Sequence, residues 1–288
     1  MRATFEYCLK SKLLGVGWRV DGLANTKDWS RYHKEAVEVH GKVAVCKYIQ
    51  TWVNEGDLVW TRDTLAQYYL ARVSSGWEYR TSEESVEQDI DIANIFRCDI
   101  KKVARDAVPG KVVASFRARK SIQEVADDTA LEYSKFLWNV IAGSKVYELE
   151  DDFRVDIFAM LDDKETEDLL FIYLQTQGWY VIPNSRERDT VAFEYFLVRA
   201  DTGEIAAAQV KTGNVPLNPK DYCDYPHRVF LFQSNDIYGG EEADNVICLQ
   251  RKEVEVFLEK ALDWLPKVFK IKMALSERST PDVSLVTG

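Results

Sequence analysis

The second half of the chain is organised around residues 194–211, which read EYFLVRADTGEIAAAQVK. Two apolar segments flank Asp201-Thr-Gly-Glu204, a composition that is typical of a tight turn between antiparallel strands. We therefore predict a β-hairpin, with its strands over Ala192–Ala200 and Ile205–Thr212.

Four polar side chains can converge at this hairpin. Side chains two apart on a strand point to the same face, so Gln209 and Lys211 are expected to lie together, with Glu194 on the partner strand beside them. Glu167 can approach from a preceding helix. Hydrolysis of a phosphodiester with a metal needs ligands that hold the ion and a cation that steadies the attacking water, and these residue types supply both.

The elements around the hairpin alternate between helix and strand. Asp162 or Asp163 can cap a helix that ends at Gly178. Leu169 to Leu174 are apolar on all sides, which indicates a helix buried between layers. We further predict strands over Trp179–Ile182, Val229–Gln233 and Val246–Leu249, and an amphipathic helix over Val254–Leu265.

This layout, from Glu165 to Leu265, resembles Mrr-type restriction endonucleases of the PD-(D/E)xK superfamily. The resemblance implies that Glu167 is the helical carboxylate, that Glu194 is the main metal ligand and that Gln209 is a further ligand. It implies that Lys211 orients or activates the water, and that the cofactor is Mg²⁺ or Mn²⁺. The family usually has Asp where this chain has Glu194, which leaves Asp189 as a rival ligand.

The first half of the chain is predicted to be a small β-barrel with flanking helices. Short β-rich runs recur between turn residues, at Lys42–Gln50, Asp57–Thr61, Tyr68–Val73 and Lys111–Phe116. Ser121-Ile-Gln-Glu124 fits a capping box, and the helical pattern that follows extends to Ile141.

Aromatic residues crowd this first half, and its Gly/Trp segments (residues 15–18 and 56–60) resemble the PUA-like fold of EVE and YTH domains. The resemblance implies a modified-base reader with an aromatic cage, for which Trp18, Trp60 and Trp77 are the candidates. The alternative is that these tryptophans belong to the core of the barrel.

Basic residues are densest late in this half, and two interpretations of them stay open. They can grip nucleic-acid phosphates, or they can form a solvated face between two elements. The full chain has a net charge of -10, and the whole deficit lies in residues 151–288. The candidate backbone contacts are Lys111, Arg117, Arg119 and Lys120.

The sequence predicts a cytoplasmic protein of two domains. The five cysteines are scattered without a CxxC pair, and no apolar run is long enough to span a membrane. The expected fold is α+β/α/β: residues 1–145 form the PUA-like β-barrel, residues 146–275 form a mixed PD-(D/E)xK sheet flanked by helices, and residues 276–288 are a flexible tail.

The function expected from these two resemblances is cleavage of DNA that carries a modified base, as in type IV restriction for defence against foreign DNA. One site cuts one strand, so double-strand cleavage implies a homodimer or repeated nicking. Three alternatives stay open: a non-catalytic nucleic-acid-binding protein with a decayed nuclease fold, a nuclease acting on RNA, and a first domain that senses a small ligand.

Overall fold

The computed structural model describes residues 2–118, 120–150, 155–182, 193–277 and 283–287. The chain is mixed α/β and forms two five-stranded sheets. Among the residues described, no helix is both long and apolar enough to cross a lipid bilayer. The chain divides into a first compact unit of Met1–Val108, Val112–Phe153 and Arg278–Gly288, and a second of Pro109–Lys111 and Arg154–Glu277.

The sheet of the first unit is antiparallel and curls into a half-barrel. Its strands are β1 (Leu13–Val16), β2 (Leu58–Arg62), β3 (Tyr68–Val73), β4 (Glu78–Tyr79) and β5 (Asn94–Val103). They are arranged in the order β1-β5-β3-β2, with β4 paired to β5. The long strand β5 therefore holds the half-barrel together, because it pairs with β1, β3 and β4.

The described part of the chain up to residue 150 contains six α-helices besides this sheet, and one of them begins in the second unit. They are α1 (Arg2–Ser11), α2 (Trp29–His40), α3 (Ala44–Trp52), α4 (Glu83–Glu87), α5 (Gly110–Ser115) and α6 (Asp128–Ala142). Fully buried side chains of α2 and α3, among them Tyr32 and Cys46, pack with Val73 and Ile95 of the sheet to form the core.

The predicted strand over Lys42–Gln50 is wrong, because the chain from Ala44 to Gln50 lies within α3. Its β-branched and aromatic residues favour a strand by composition. The buried positions, however, are Val43, Cys46, Ile49 and Val53, which recur at the three- to four-residue spacing of a helix.

The predicted strand over Lys111–Phe116 and the capping box at Ser121 are also wrong. Lys111–Ser115 lie within α5, so Pro109-Gly110 introduces a helix rather than a strand. The next helix, α6, begins only at Asp128, because the Asp127 carboxylate accepts a hydrogen bond from Ala130 N at 2.8 Å and so caps it.

The sheet of the second unit is mixed, as predicted. Its strands are β6 (Trp179–Val181), β7 (Tyr195–Arg199), β8 (Ile205–Lys211), β9 (Arg228–Gln233) and β10 (Val246–Leu249), in the order β10-β9-β8-β7-β6. The pairs β6–β7 and β7–β8 are antiparallel, whereas β8–β9 and β9–β10 are parallel. The hairpin predicted from residues 194–211 is therefore confirmed as β7–β8.

The helices of the second unit are α7 (Ile157–Met160), α8 (Asp163–Thr176), α9 (Arg251–Ala261) and α10 (Lys267–Ser276). The predicted cap of α8 is confirmed: Asp162 and Glu165 form a reciprocal capping box, and Gly178 follows the helix with a φ of +87°. Within the predicted tail, Val283–Thr287 form α11, and Val286 is buried against the first unit with its carbonyl accepting from Ala104 N at 2.7 Å.

Candidate active site

The β7–β8 hairpin sets the positions of the predicted polar residues. Glu194 directly precedes β7, and its backbone N–H donates to the Ala208 carbonyl at 2.9 Å, which extends the ladder by one residue. This pairing places the Glu194 side chain beside Gln209. Lys211 follows two residues later on the same face of β8.

The structure brings Glu194, Gln209 and Lys211 together. Gln209 Nε2 donates to Glu194 Oε1 at 3.2 Å, and Lys211 Nζ lies 3.9 Å from the same oxygen. Gln209 is only 2% exposed, whereas the side chains of Glu194 and Lys211 are 29% and 40% exposed. The cluster is therefore buried on one side and open to solvent on the other.

The side-chain oxygen of Gln209 is buried and accepts no hydrogen bond from any residue that the structure describes. A buried acceptor without a partner costs roughly 1–3 kcal/mol of stability. A ligand that offers positive charge or a donor at this point would remove that cost. The amide nitrogen of Gln209 now faces the Glu194 carboxylate. A half-turn of the amide would place its oxygen there instead, and the pair would then fit a hard divalent cation, which prefers oxygen ligands.

Helix α8 approaches the chain just after β8 through Asp163. The Asp163 carboxylate accepts a hydrogen bond from Thr212 Oγ1 at 3.1 Å, and Thr212 directly follows Lys211. Glu167 lies one helical turn beyond Asp163 on the same side of α8, and it is half-buried. Asp163 therefore lies beside the residue that follows Lys211, whereas the sequence analysis considered it only as a possible helix cap.

The residues described contain no group of three His, Cys, Asp or Glu side chains close enough to hold a metal ion. A cation at this site would therefore depend on the amide oxygen of Gln209 in addition to Glu194. The rival ligand Asp189 lies outside the described residues.

A buried glutamine that the sequence analysis missed holds the backbone that follows Lys211. Gln233 at the end of β9 is fully buried, and its Nε2 donates to the carbonyls of Gly213 at 2.7 Å and Val215 at 3.1 Å. Its position at the end of the apolar run RVFLFQ is the signal that could have identified it, since a buried amide requires partners.

Tyr222 is a second neighbour of the site that the sequence analysis missed. It ends a short 3₁₀ helix (Pro219–Tyr222), and its ring lies 5.7 Å from the ring of Phe193, the residue before Glu194. Burial raises the pKa of Tyr222, and the carboxylates of Asp221 and Glu194 raise it further. No local motif marks this residue, because a long loop brings it to the site.

A buried ion pair fixes the start of α8. Lys272 of α10 is completely buried, pairs with the Glu165 carboxylate and donates to the Met160 carbonyl at 2.9 Å. The same Glu165 carboxylate accepts from Asp162 N at 2.8 Å as part of the capping box. The first turn of α8, which contains Asp163 and precedes Glu167, is thus tied to α10.

The first unit contains a cleft of about 1540 Å³, and Trp60 lines it. The Trp60 indole N–H donates to Ser134 Oγ at 3.0 Å, which fixes the ring against α6. Trp52 also lines the cleft, is 48% exposed and stacks on Tyr48 with ring centroids 4.4 Å apart. The cleft therefore presents aromatic surface to solvent.

The structure does not bring the three cage candidates together at this cleft. The described residues that line it include Trp60 but neither Trp18 nor Trp77. Trp77 is 7% exposed and donates from its indole N–H to Asn94 Oδ1 at 3.1 Å within the aromatic core.

Trp18 adopts a left-handed backbone conformation with a φ of 63°, which is unusual for a bulky residue. The Asp91 carboxylate holds this turn by accepting from the backbone N–H of Trp18 at 3.2 Å and of Arg19 at 3.1 Å. The Trp18 carbonyl accepts a further hydrogen bond from the Tyr32 hydroxyl at 3.1 Å. Strain maintained in this way is often associated with function.

The predicted backbone-binding residues are dispersed over short elements. Lys111 and Arg117 are exposed on α5 and on the 3₁₀ turn that follows it, and Lys120 is exposed at the cleft, whereas Arg119 lies outside the described residues. The cleft itself is not basic. Its ionisable lining residues are Arg62, Lys120 and Lys135 against Asp57, Asp63, Glu124, Asp127 and Asp128.

The cluster at the β7–β8 hairpin is thus the strongest candidate site, since it combines a carboxylate, a cation and a buried amide oxygen without a partner among the described residues. Comparisons of the chain with protein-family models, with curated proteins and with solved structures found no match.

Proposed function

We propose that the second unit is a metal-dependent nuclease that hydrolyses phosphodiester bonds in DNA, with Glu194, Gln209 and Lys211 at its active site. The observation that carries this proposal is the buried amide of Gln209, whose oxygen lacks a partner among the described residues and whose nitrogen donates to the Glu194 carboxylate. Lys211 completes the set with a positive charge 3.9 Å from that carboxylate.

Glu194 and Gln209 would hold Mg²⁺ or Mn²⁺, and Glu167 and Asp189 are further proposed ligands. When bound, the ion supplies Lewis-acid stabilisation of the charge on the scissile phosphate. Rotation of the Gln209 amide by half a turn would exchange the N–H group that now faces Glu194 for the amide oxygen. Gln209 can therefore donate a hydrogen bond to Glu194 when no cation is bound and can offer its oxygen as a ligand when a cation is bound.

Lys211 would orient the attacking water and stabilise the negative charge that develops in the transition state. Its ammonium group is partly exposed, so that it can donate hydrogen bonds to a substrate oxygen while its stem stays packed on β8. Water attacks phosphorus, the bond from phosphorus to the 3′ oxygen breaks, and the products carry a 5′-phosphate and a 3′-hydroxyl. This polarity follows the resemblance to Mrr-type enzymes.

For the first unit we propose the reader of a modified base, so that the whole protein acts in type IV restriction-like defence against foreign DNA. The support is the cleft with Trp60 and the exposed Trp52, since aromatic faces stack on an extruded base. The acidic lining of the cleft fits entry of a base better than entry of the phosphate backbone. Double-strand cleavage would proceed through two copies of the site in a homodimer or through repeated nicking by one site.

The test is cleavage of methylated, hydroxymethylated and unmodified DNA with Mg²⁺ or Mn²⁺, using the wild type and two matched lysine variants. We expect Lys211→Ala to lower the rate at least about 100-fold, because it removes a charge at the reacting phosphate. Lys220→Ala is the control, since Lys220 is an exposed lysine of the same unit that pairs with Glu241 on the surface.

Cutting that is confined to modified DNA and lost in Lys211→Ala would support both parts of the proposal. Equal cutting of all three DNAs would keep the nuclease and reject the reader. Loss of activity in Lys220→Ala to the same extent as in Lys211→Ala would contradict the assigned active site.

The second candidate is a nucleic-acid-binding protein without catalytic activity. It is favoured by the absence of three converging metal-binding side chains among the described residues. It predicts no cleavage of any DNA or RNA, together with nucleic-acid binding that Glu194→Ala leaves unchanged. Cleavage of RNA alone would instead identify a ribonuclease, and a labelled-RNA arm of the same assay separates these outcomes.

A further inference from the structure

The loop between β8 and β9 is anchored so that Tyr222 is held in a fixed place. Asn218 caps the 3₁₀ helix that ends at Tyr222 by accepting from Lys220 N at 3.1 Å. Asn245 then donates to the carbonyls of Tyr222 at 3.3 Å and Tyr225 at 2.8 Å. Two amide side chains thus restrain the backbone on both sides of the ring.

The Tyr222 ring is held beside Glu194. It packs on Phe193, with ring centroids 5.7 Å apart, and Phe193 is bonded directly to Glu194. Tyr222 also packs on the small hydrophobic cluster of Leu217, Val229 and Leu231. Leu231 is the partner of Gln209 in the β8–β9 ladder, so Tyr222 lies on the face of the sheet that carries Gln209. Tyr222 is half-buried, which leaves part of it open to a substrate.

The Tyr222 hydroxyl makes no hydrogen bond to any residue that the structure describes. Tyr238, which packs on the same small hydrophobic cluster, is a useful contrast. Its hydroxyl donates to the Leu249 carbonyl at 2.6 Å and accepts from Gln233 N at 2.9 Å, so it is fully used in holding the fold. The O–H group of Tyr222 is therefore available to donate a hydrogen bond to a bound substrate.

We propose that Tyr222 is a further catalytic residue of the Glu194 site, whose hydroxyl donates a hydrogen bond to an oxygen of the scissile phosphate. The inference rests on the proposed nuclease function and adds to it a neutral donor supplied by the β8–β9 loop. A donor aimed at charge that develops in the transition state accelerates the reaction without being consumed.

The surroundings of Tyr222 suit this role, because they keep the hydroxyl protonated. Burial, the largest cause, raises the pKa of Tyr222 above the ordinary value of 10.0, so the phenol remains a donor at neutral pH. No proton leaves Tyr222 in the reaction. The proton released by the attacking water goes to solvent or to a base at the site.

The experiment compares Tyr222→Phe with Tyr225→Phe in the full-length protein. Both substitutions remove one hydroxyl from the same aromatic cluster, in which Tyr225 packs on Phe193 at 4.7 Å. Tyr225 differs in its other contacts, since its ring also packs on Phe196 and His227, with ring centroids 6.4 Å and 5.6 Å away. The substrate is the DNA or RNA that the wild type cuts, with Mg²⁺ or Mn²⁺.

We expect Tyr222→Phe to lower kcat about 100-fold. The KM, the metal concentration for half-maximal rate and the melting temperature should stay close to those of the wild type. Tyr225→Phe should retain the wild-type kcat. A kcat for Tyr222→Phe within a factor of about two of an active wild type would overturn the role of Tyr222 and leave the nuclease intact.

Two other outcomes are also decisive. Equal losses in both variants, accompanied by lower melting temperatures, would show that the cluster acts only through packing of the loop, and would overturn the proposal. A wild type that cuts neither DNA nor RNA would reject the nuclease function itself, and the role of Tyr222 with it.

Discussion

The buried pair of Lys272 and Glu165 illustrates how single residues hold the candidate site. Both charges are removed from water, and the Lys272 ammonium is satisfied by the Glu165 carboxylate and by the Met160 carbonyl. Replacement of one partner leaves an uncompensated charge inside the protein. The pair is therefore expected to be far more sensitive to single substitutions than the exposed pairs on the same unit.

At this scale we predict that Lys272→Met lowers the free energy of unfolding of the second unit by about 3–5 kcal/mol, because Glu165 is left buried and unpaired. The double variant Lys272→Met/Glu165→Gln should recover most of this loss, since it removes the second charge and keeps an acceptor for Asp162 N. Urea denaturation followed by circular dichroism measures both. A single-variant loss below about 1 kcal/mol would argue against the importance of the pair.

Among the elements, the strands of the second unit were predicted well because each is a short apolar run bounded by turn residues. The hairpin in particular is local, so Glu194, Gln209 and Lys211 could be placed side by side from their spacing alone. The helix α3 was mistaken for a strand because tertiary packing, not β-branched composition, decides its conformation. Tyr222 could not be predicted either, since its position depends on a long loop and on Asn245, far along the chain.

The capping box of α8 gives a prediction for this element. Asp162→Ala should lower the free energy of unfolding by about 1–2 kcal/mol, because the N–H of Glu165 loses the side-chain acceptor that it now has at 2.8 Å. Asp162→Asn is the control, since asparagine caps a helix nearly as well, and it should cost only a few tenths of a kcal/mol. Thermal unfolding of the two variants, compared under one buffer, separates these values.

At the scale of the whole molecule, two buried thiols make the free energy of unfolding depend on pH in the alkaline range. Burial raises the pKa of Cys8 to about 11 and that of Cys98 to about 12, and both residues belong to the core of the first unit. Each thiol is neutral in the folded state, whereas in the unfolded chain it ionises near its ordinary value of 9.0. The stabilisation from each is therefore complete below pH 9 and is lost as the pH rises towards the folded pKa.

We accordingly predict that the free energy of unfolding of the first unit falls between pH 9 and pH 11, by up to about 1.4 kcal/mol per pH unit for each buried thiol. Urea unfolding in a reducing buffer at several pH values provides the measurement. Cys98→Ala should show a shallower decline than the wild type. Parallel declines in the two proteins would assign the pH dependence to other groups, such as the buried tyrosines.

Gly110 has a consequence for any attempt to divide this protein. A side-chain carbon at this position would lie 2.3 Å from the Leu161 carbonyl oxygen, so the start of α5 needs glycine to pack there. Gly110 belongs to the short insert Pro109–Lys111, which the chain contributes to the second unit before it returns to the first. A fragment that begins at Arg154 would thus lose Gly110, a packing partner encoded more than forty residues upstream. A truncation after Glu277 would remove α11 from the first unit. Neither half of the molecule is a contiguous piece of sequence, and a single cut of the polypeptide separates neither cleanly.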